Sequence, residues 1–202
     1  MYPNILVKTQ TDLLPLVKIF SSSFYLVGGT ALALQLGHRR SIDFDLFTDK
    51  SFDSLRIRSD IKQGHTINRI LIETRTEFTL LVDNVKMTFY GYPYPIEHQV
   101  NFNDIISLPD PLTIAAMKAF ALGRRAKWKD YVDLFFIFQS FSLKELIVKA
   151  ISIYKNEFDE KLFREQLAYY QDLDYSESVE YLPGFDVDDE TIRQKLIAVS
   201  LS

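Results

Sequence analysis

Cysteine is absent from the 202 residues. That excludes disulfides and thiolate metal ligands, and it agrees with a reducing compartment. Histidine occurs three times, at His38, His65 and His98, with no ligand spacing, so none is given a functional role. No apolar run approaches the length of a membrane span, and residues 1–10 lack the pattern of a signal peptide. The expectation is a cytoplasmic chain without membrane contact. Neither sign of charge dominates, since 23 Lys and Arg against 27 Asp and Glu leave a formal charge of −4. A general nucleic-acid coat is thereby excluded, and any RNA contact needs a local basic patch. Repeats and low-complexity segments are also missing. What is plentiful is apolar surface. At 47% hydrophobic with 16 Phe, the chain can bury a sizeable core, as one domain or a core with a helical appendage.

The densest chemistry lies in residues 24–47, FYLVGGTALALQLGHRRSIDFDLF. An apolar strand over 24–27 meets the turn Gly28-Gly29-Thr30, and a helix over 30–36 stops at Gly37. A second strand over 42–47 carries Asp43 and Asp45. Residues i and i+2 of a strand share a face, so both carboxylates project together with Phe44 and Leu46 opposite. Two oxygen donors on a rigid element suit Mg2+ or Mn2+. Unpaired N–H groups at a helix start suit phosphate. Each feature also has an ordinary reading. The glycines fit tight backbone geometry, the Asp-x-Asp fits a solvated edge or a cap, and Arg39 and Arg40 fit as the acids' counter-charges. Against these stands the cost of a carboxylate inside an apolar strand. Cradle, bases and acids grouped in one stretch point to nucleotide chemistry.

The order Gly-Gly-Thr-Ala-Leu, an arginine, Ser, then Asp-x-Asp-Leu-Phe resembles the nucleotidyltransferases of the AbiEii/AbiGii toxin family. These belong to the DNA polymerase β-like nucleotidyltransferase superfamily. Residues 118–134, KAFALGRRAKWKDYVDL, resemble the family's second block, a lysine and arginine helix followed by Lys-Asp-x-x-Asp-Leu. Elsewhere the similarity is one of layout. The resemblance implies transfer of an NMP from an NTP to an acceptor hydroxyl, with tRNA or another RNA among the acceptors. It implies Mg2+ or Mn2+ on Asp43 and Asp45, and an NTP held by Gly28, Gly29, Thr30, Arg39, Arg40 and Arg125. Lys118 would be the triphosphate ligand and Asp130 the catalytic or lysine-orienting carboxylate, with Asp133 as the alternative. A toxin of a toxin–antitoxin or phage-defence pair, with a cognate antitoxin as partner, is implied as well. Read locally, Asp130 also suits an i,i+3 partner for Lys127. The basic stretch Arg124, Arg125, Lys127 and Lys129, with Trp128 and Tyr131, suits either phosphate and base contacts or a solvated helix junction.

The fold class that follows is α+β. A nucleotidyltransferase-like mixed sheet flanked by helices is expected over residues 1–92, a connecting segment over 93–110 and a C-terminal helical lobe over 111–202. Asp43, Asp45 and Lys118 should meet in the cleft between them. Helix 11–21 holds Pro15 near its first turn, and helix 52–62 crosses to strands over 66–73, 77–82 and 85–92. Asp83-Asn84 reads as a hairpin turn. Alternation in the last strand puts Lys86, Thr88 and Tyr90 on one face. The superfamily usually carries a third carboxylate on such a strand. Thr88 takes that place here, with Glu73 or Asp83 as weaker stand-ins. Asp110 caps a helix from Pro111, helices over 128–140, 143–155 and 159–170 follow, and an acidic tail over 172–190 precedes a last helix over 191–199. Two other functions fit: a catalytically inactive nucleotide-binding or interaction protein of the same fold, and a small-molecule nucleotidyltransferase of the antibiotic-modifying kind.

Overall fold

The computed structural model describes residues 1–122, 124–125 and 127–202. Helix α1 (Lys8–Ile19) buries Leu13, Leu16 and Val17 and leads to strand β1 (Tyr25–Val27). It starts before the expected residue 11 because the Gln10 side chain accepts the Val7 N–H at 3.2 Å, serving as a cap. Pro15 consequently lies in the helix interior, where the buried stripe outweighs one lost hydrogen bond. Helix α2 (Gly28–Leu36) begins directly at Gly28, and Gly37 ends it at φ 72°. Strand β2 (Phe44–Thr48) is followed by helix α3 (Ser54–Ile61), whose Asp53 cap accepts the Leu55 N–H.

Strands β3 (Ile67–Glu73), β4 (Glu77–Val82) and β5 (Val85–Gly91) complete the sheet. Its order is β1-β2-β5-β4-β3, with β2 and β5 parallel and the other neighbours antiparallel. A parallel pair needs a long crossover, which α3 and the β3–β4 hairpin supply. The tight turn from β4 to β5 rests on Asp83 (φ 47°) and Asn84 (φ 66°), residue types that accept the left-handed region. Alternation sends Phe44, Leu46, Met87 and Phe89 into the core. Asp45, Phe47, Thr88 and Tyr90 are left on the other, part-exposed face.

Residues 93–110 hold more order than a connection requires. Strands β6 (Val100–Phe102) and β7 (Ile106–Leu108) pair antiparallel there. Helix α4 (Pro111–Leu122) starts on the expected cap, with Asp110 Oδ1 accepting the Thr113 N–H at 2.8 Å. Helices α5 (Trp128–Ile137), α6 (Leu143–Tyr154), α7 (Glu160–Leu167) and α8 (Asp189–Ser200) follow. One buried cluster runs from Ile5 to Leu196, so sheet and helices share a core. The acidic stretch 172–190 is no free tail. Its backbone accepts the Trp128 N–H at Asp174 and the Arg40 N–H at Glu180, and Leu182 N–H donates to His38. No described helix is long and apolar enough to cross a membrane.

Phe89 is the aromatic centre of the sheet's buried face, with ring centroids 4.9 Å from Phe20 and 5.3 Å from Phe24. Phe89→Ala is expected to cost about 3–5 kcal/mol, the range for a fully buried Phe truncation. Urea unfolding of the two chains checks it, with the slope of the transition unchanged.

Candidate active site

Two glycines shape the start of α2, each for its own reason. Gly28 has φ 73°, and a Cβ built there runs into Asp45 Oδ2. At Gly29 a Cβ would lie 2.6 Å from Arg39 Nη2 and 2.8 Å from Ser41 Oγ. Val27, at the N-cap, is extended and offers no side-chain cap, so first-turn N–H groups remain for another acceptor. The Thr30 side chain is not among the groups that face a ligand. Its buried hydroxyl is 3.0 Å from Ser41 Oγ and also donates to the main-chain oxygen of Asp43. Buried Gln10 donates to the Ser41 carbonyl at 2.9 Å, so α1 and α2 together fix the segment entering β2.

The register places Asp45 opposite Val27 on one side and Thr88 on the other. Phe44 pairs with Met87, and one step back along the same ladder Lys86 Nζ lies 2.5 Å from Asp43 Oδ2. Burial, and then the Asp43 charge, push the Asp45 carboxyl above its usual value, against the pull of Lys86, Arg125 and Lys118. Burial would lower the Lys86 ammonium, but the Asp43 hydrogen bond and the charges of Asp43, Asp45 and Glu177 outweigh it and raise it. The sequence shows Lys86 on the same face as Thr88, yet only the strand register reveals its partner.

A second cluster lies behind the first. Asp133 is fully buried and accepts Arg39 Nε and Nη2, both at 2.8 Å, in a two-pronged pair. His38 Nε2 lies 2.7 Å from Asp133 Oδ1, and Lys118 Nζ lies 2.7 Å from Oδ2. Lys118 also donates to Asp130 Oδ1 at 2.6 Å. Burial opposes ionisation of Asp133, yet Arg39, Lys118 and His38 hold its carboxyl well below the ordinary range. Burial pushes the His38 imidazole down, which favours the neutral ring, and its Nε2–H donates a hydrogen bond to the carboxylate. Lys118 is raised because Asp130 and Asp133 outweigh burial. Asp130 Oδ2 is buried without a hydrogen bond, and Arg125 Nε lies 3.3 Å from it.

Several expected nucleotide contacts are engaged elsewhere. Arg39 is only 2% exposed and its guanidinium is taken by Asp133. Arg40 turns outward to Glu180, with Nε at 2.7 Å from the carboxylate. Lys127 and Lys129 both pair with Glu177, at 2.5 and 3.0 Å, and hold its carboxyl at about 2. Arg124 lies over the Phe120 ring at 3.8 Å. Trp128 and Tyr131, read as base-stacking residues, are buried in the helix packing instead. Gly28, Gly29, Asp43, Asp45, Lys118, Asp130 and Arg125 are the expected site residues that come together. Gly123 and Ala126, inside the second block, lie outside the described residues.

Among the described residues no group of three or more His, Asp or Glu stands ready for a metal. The Asp43–Asp45 pair still fits a magnesium-like ion, which binds through one or two carboxylates plus substrate phosphates and water. The upward push of the Asp43 charge on Asp45 is the repulsion such an ion would relieve.

The model of the family described as "Nucleotidyl transferase AbiEii toxin, Type IV TA system" matches residues 16–196. The chain is 37% identical over 157 residues to an uncharacterised protein of Aquifex aeolicus, aq_aa25, covering 75% of each. Its fold is similar to a putative nucleotidyltransferase from H. pylori, with TM-score 0.59, 21% identity and coverage of 96% and 92%. It is also similar to MenT4, a nucleotidyltransferase toxin from Mycobacterium tuberculosis, with TM-score 0.62, 16% identity and coverage of 96% and 82%.

Asp133→Asn tests the buried cluster. It leaves Arg39 and Lys118 short of one negative charge, and a broken buried pair costs about 3–5 kcal/mol. Because folding depresses this carboxyl, its contribution is complete above the usual value of 3.8 and is lost as pH falls through the folded one. Urea unfolding at pH 7 should show the full difference. The gap between parent and variant should narrow below pH 3.8.

Proposed function

This chain belongs to the AbiEii family of nucleotidyltransferase toxins, and from that premise we propose that it moves an NMP from an NTP to an acceptor hydroxyl on RNA. The observation that supports this most is local: Asp45 lies against the start of α2, within the field of Lys118 and Arg125. Three needs of phosphoryl transfer meet there, namely phosphate-binding N–H groups, acidic oxygen ligands and fixed positive charge.

In this reading the first-turn N–H groups of α2 hold the terminal phosphates, and the absent Cβ atoms of Gly28 and Gly29 let them approach. Asp43 and Asp45 hold a divalent ion, which polarises the phosphate oxygens. Lys118 and Arg125 offset charge gathering on the leaving group, and Asp130 orients Lys118. The acceptor oxygen bonds to the α-phosphorus as the bond to pyrophosphate breaks. Pyrophosphate keeps the electron pair, and the hydroxyl proton passes to water. Alignment and preorganised charge do most of the catalysis. We place this activity in the cytoplasm, as a toxin opposed by a cognate antitoxin, with tRNA as the first acceptor to try. Internal pairing of Lys127 and Lys129 favours a second reading, in which the acceptor is a small hydroxylated molecule.

Incubation with each α-labelled NTP and total RNA, followed by gel separation, is the test, and label in an RNA band is the expected result. Label only in small molecules would select the second reading. Asp45→Asn should lower the transfer rate at least ~100-fold, the scale of a lost metal contact in the transition state. In isothermal titration Mg2+ should strengthen NTP binding to the parent and not to that variant.

A further inference from the structure

Phosphoryl transfer is served best by positive charge at both the attacking and the leaving oxygen, which two-metal sites supply with a second ion. Strand β5 is the neighbour of β2 here, and the residue directly across from Asp45 is Thr88. A neutral hydroxyl holds a second divalent ion poorly. Two residues back on the same face of β5, the chain has Lys86, and its ammonium is already seated on Asp43. We propose that Lys86 is a catalytic residue of the transfer. Its ammonium supplies the second positive charge beside the Asp pair, so one divalent ion suffices.

Four observations carry this beyond an ordinary surface pair. Lys86 and Asp43 are both partly buried, with 34% and 28% of each side chain exposed, and their atoms are 2.5 Å apart. The strand, not a flexible loop, delivers the amine, since Met87 and Phe89 on either side of Thr88 are fully buried anchors. Asp43 lies against the amine, and Asp45 is across the ladder from Thr88, two residues from Lys86, so the ammonium serves there as a fixed charge and donor, not as a base. The ammonium's closest approach is to a carboxylate of the acid pair itself, Asp43 Oδ2, so its charge lies where a bound ion's would. Transfer itself is unchanged in atoms. The acceptor oxygen bonds to the α-phosphorus, pyrophosphate leaves with the bonding pair, and Lys86 donates hydrogen bonds without giving up a proton.

The inference rests on the nucleotidyltransferase reading, and metal counting separates the two because it needs no turnover. With an NTP analogue whose α,β-bridge is methylene, Mn2+ resonance titration of the full chain should show one ion per chain. Lys86→Gln should keep that count and the parent's thermal midpoint while losing ~100-fold or more in transfer, the cost of removing one preorganised donor. In Lys86→Gln with Thr88→Asp, the count should rise to two and transfer should partly return. Two ions on the parent would overturn the proposal whatever the activity is. So would a Lys86→Gln chain that transfers within threefold of the parent, or a double variant that still binds one ion. A parent that binds one ion with the analogue yet labels no acceptor would leave the charge assignment standing and count against the reaction.

Discussion

Everything around the site depends on one buried carboxylate. Asp133 draws Arg39 and His38 from the loop after α2, and Lys118 from α4, onto α5. Burying Arg39 or Lys118 alone would cost several kcal/mol. Together with Asp130 the cluster holds two acids and two bases, and His38 is neutral, so the charges cancel where water is excluded. The geometry is as demanding as the charge balance. Arg39 must reach Asp133 along both nitrogens, which fixes where the chain can pass between α2 and β2. The same anchoring sets Lys118 and hence its distance from the front of the site.

That constraint gives the glycine pair a double meaning. Gly29 has no side chain because the Arg39 guanidinium passes beneath it on the way to Asp133, and Gly28 has none because Asp45 lies against it. Both are packing requirements. Their consequence is a helix start with no side-chain cap from Val27, beside the acid pair. The ordinary reading of the glycines and the phosphate-binding reading therefore describe the same atoms. Packing of charged groups creates the surface that a phosphate would use.

How much of this was legible in the sequence follows from how local each signal is. The turn at Asp83-Asn84, the cap at Asp110 and the stop at Gly37 are read within a few residues, and all are present. The expected strand over 42–47 begins at Phe44 instead, so Asp43 precedes it, yet Lys86 of the neighbouring strand reaches Asp43 beside Asp45. Family resemblance supplied Lys118 and Asp130, which sequence spacing alone would have left as ordinary helix residues. What failed was long-range pairing. Nothing near Arg39 says that it points inward while Arg40 points out. Their partners, Asp133 and Glu180, lie far along the chain. Lys86 escaped for the same reason, since its partner is set by the parallel register of β2 and β5. The stretch 172–190 misled by composition. Acidic residues suggested a solvated tail, whereas its backbone is tied to His38, Arg40 and Trp128.

The returning acidic stretch bears on what the site can attract. Glu177 neutralises Lys127 and Lys129, and Glu180 neutralises Arg40. Three cations near the site are thus neutralised locally, in a chain already at −4. Around the site, the α2 N–H groups, Lys86, Lys118 and Arg125 lie about a pair of acids whose charge a divalent ion would cancel, leaving Lys86 and Arg125 as net positive charge. A field confined in this way favours a compact, highly charged anion over a long polyanion, because the latter gains only where its backbone meets uncompensated charge. An RNA acceptor on this protein must consequently be held through its end or its shape. On the proposed function, the ion pairs of Glu177 and Glu180 would bear on selectivity as well as on folding.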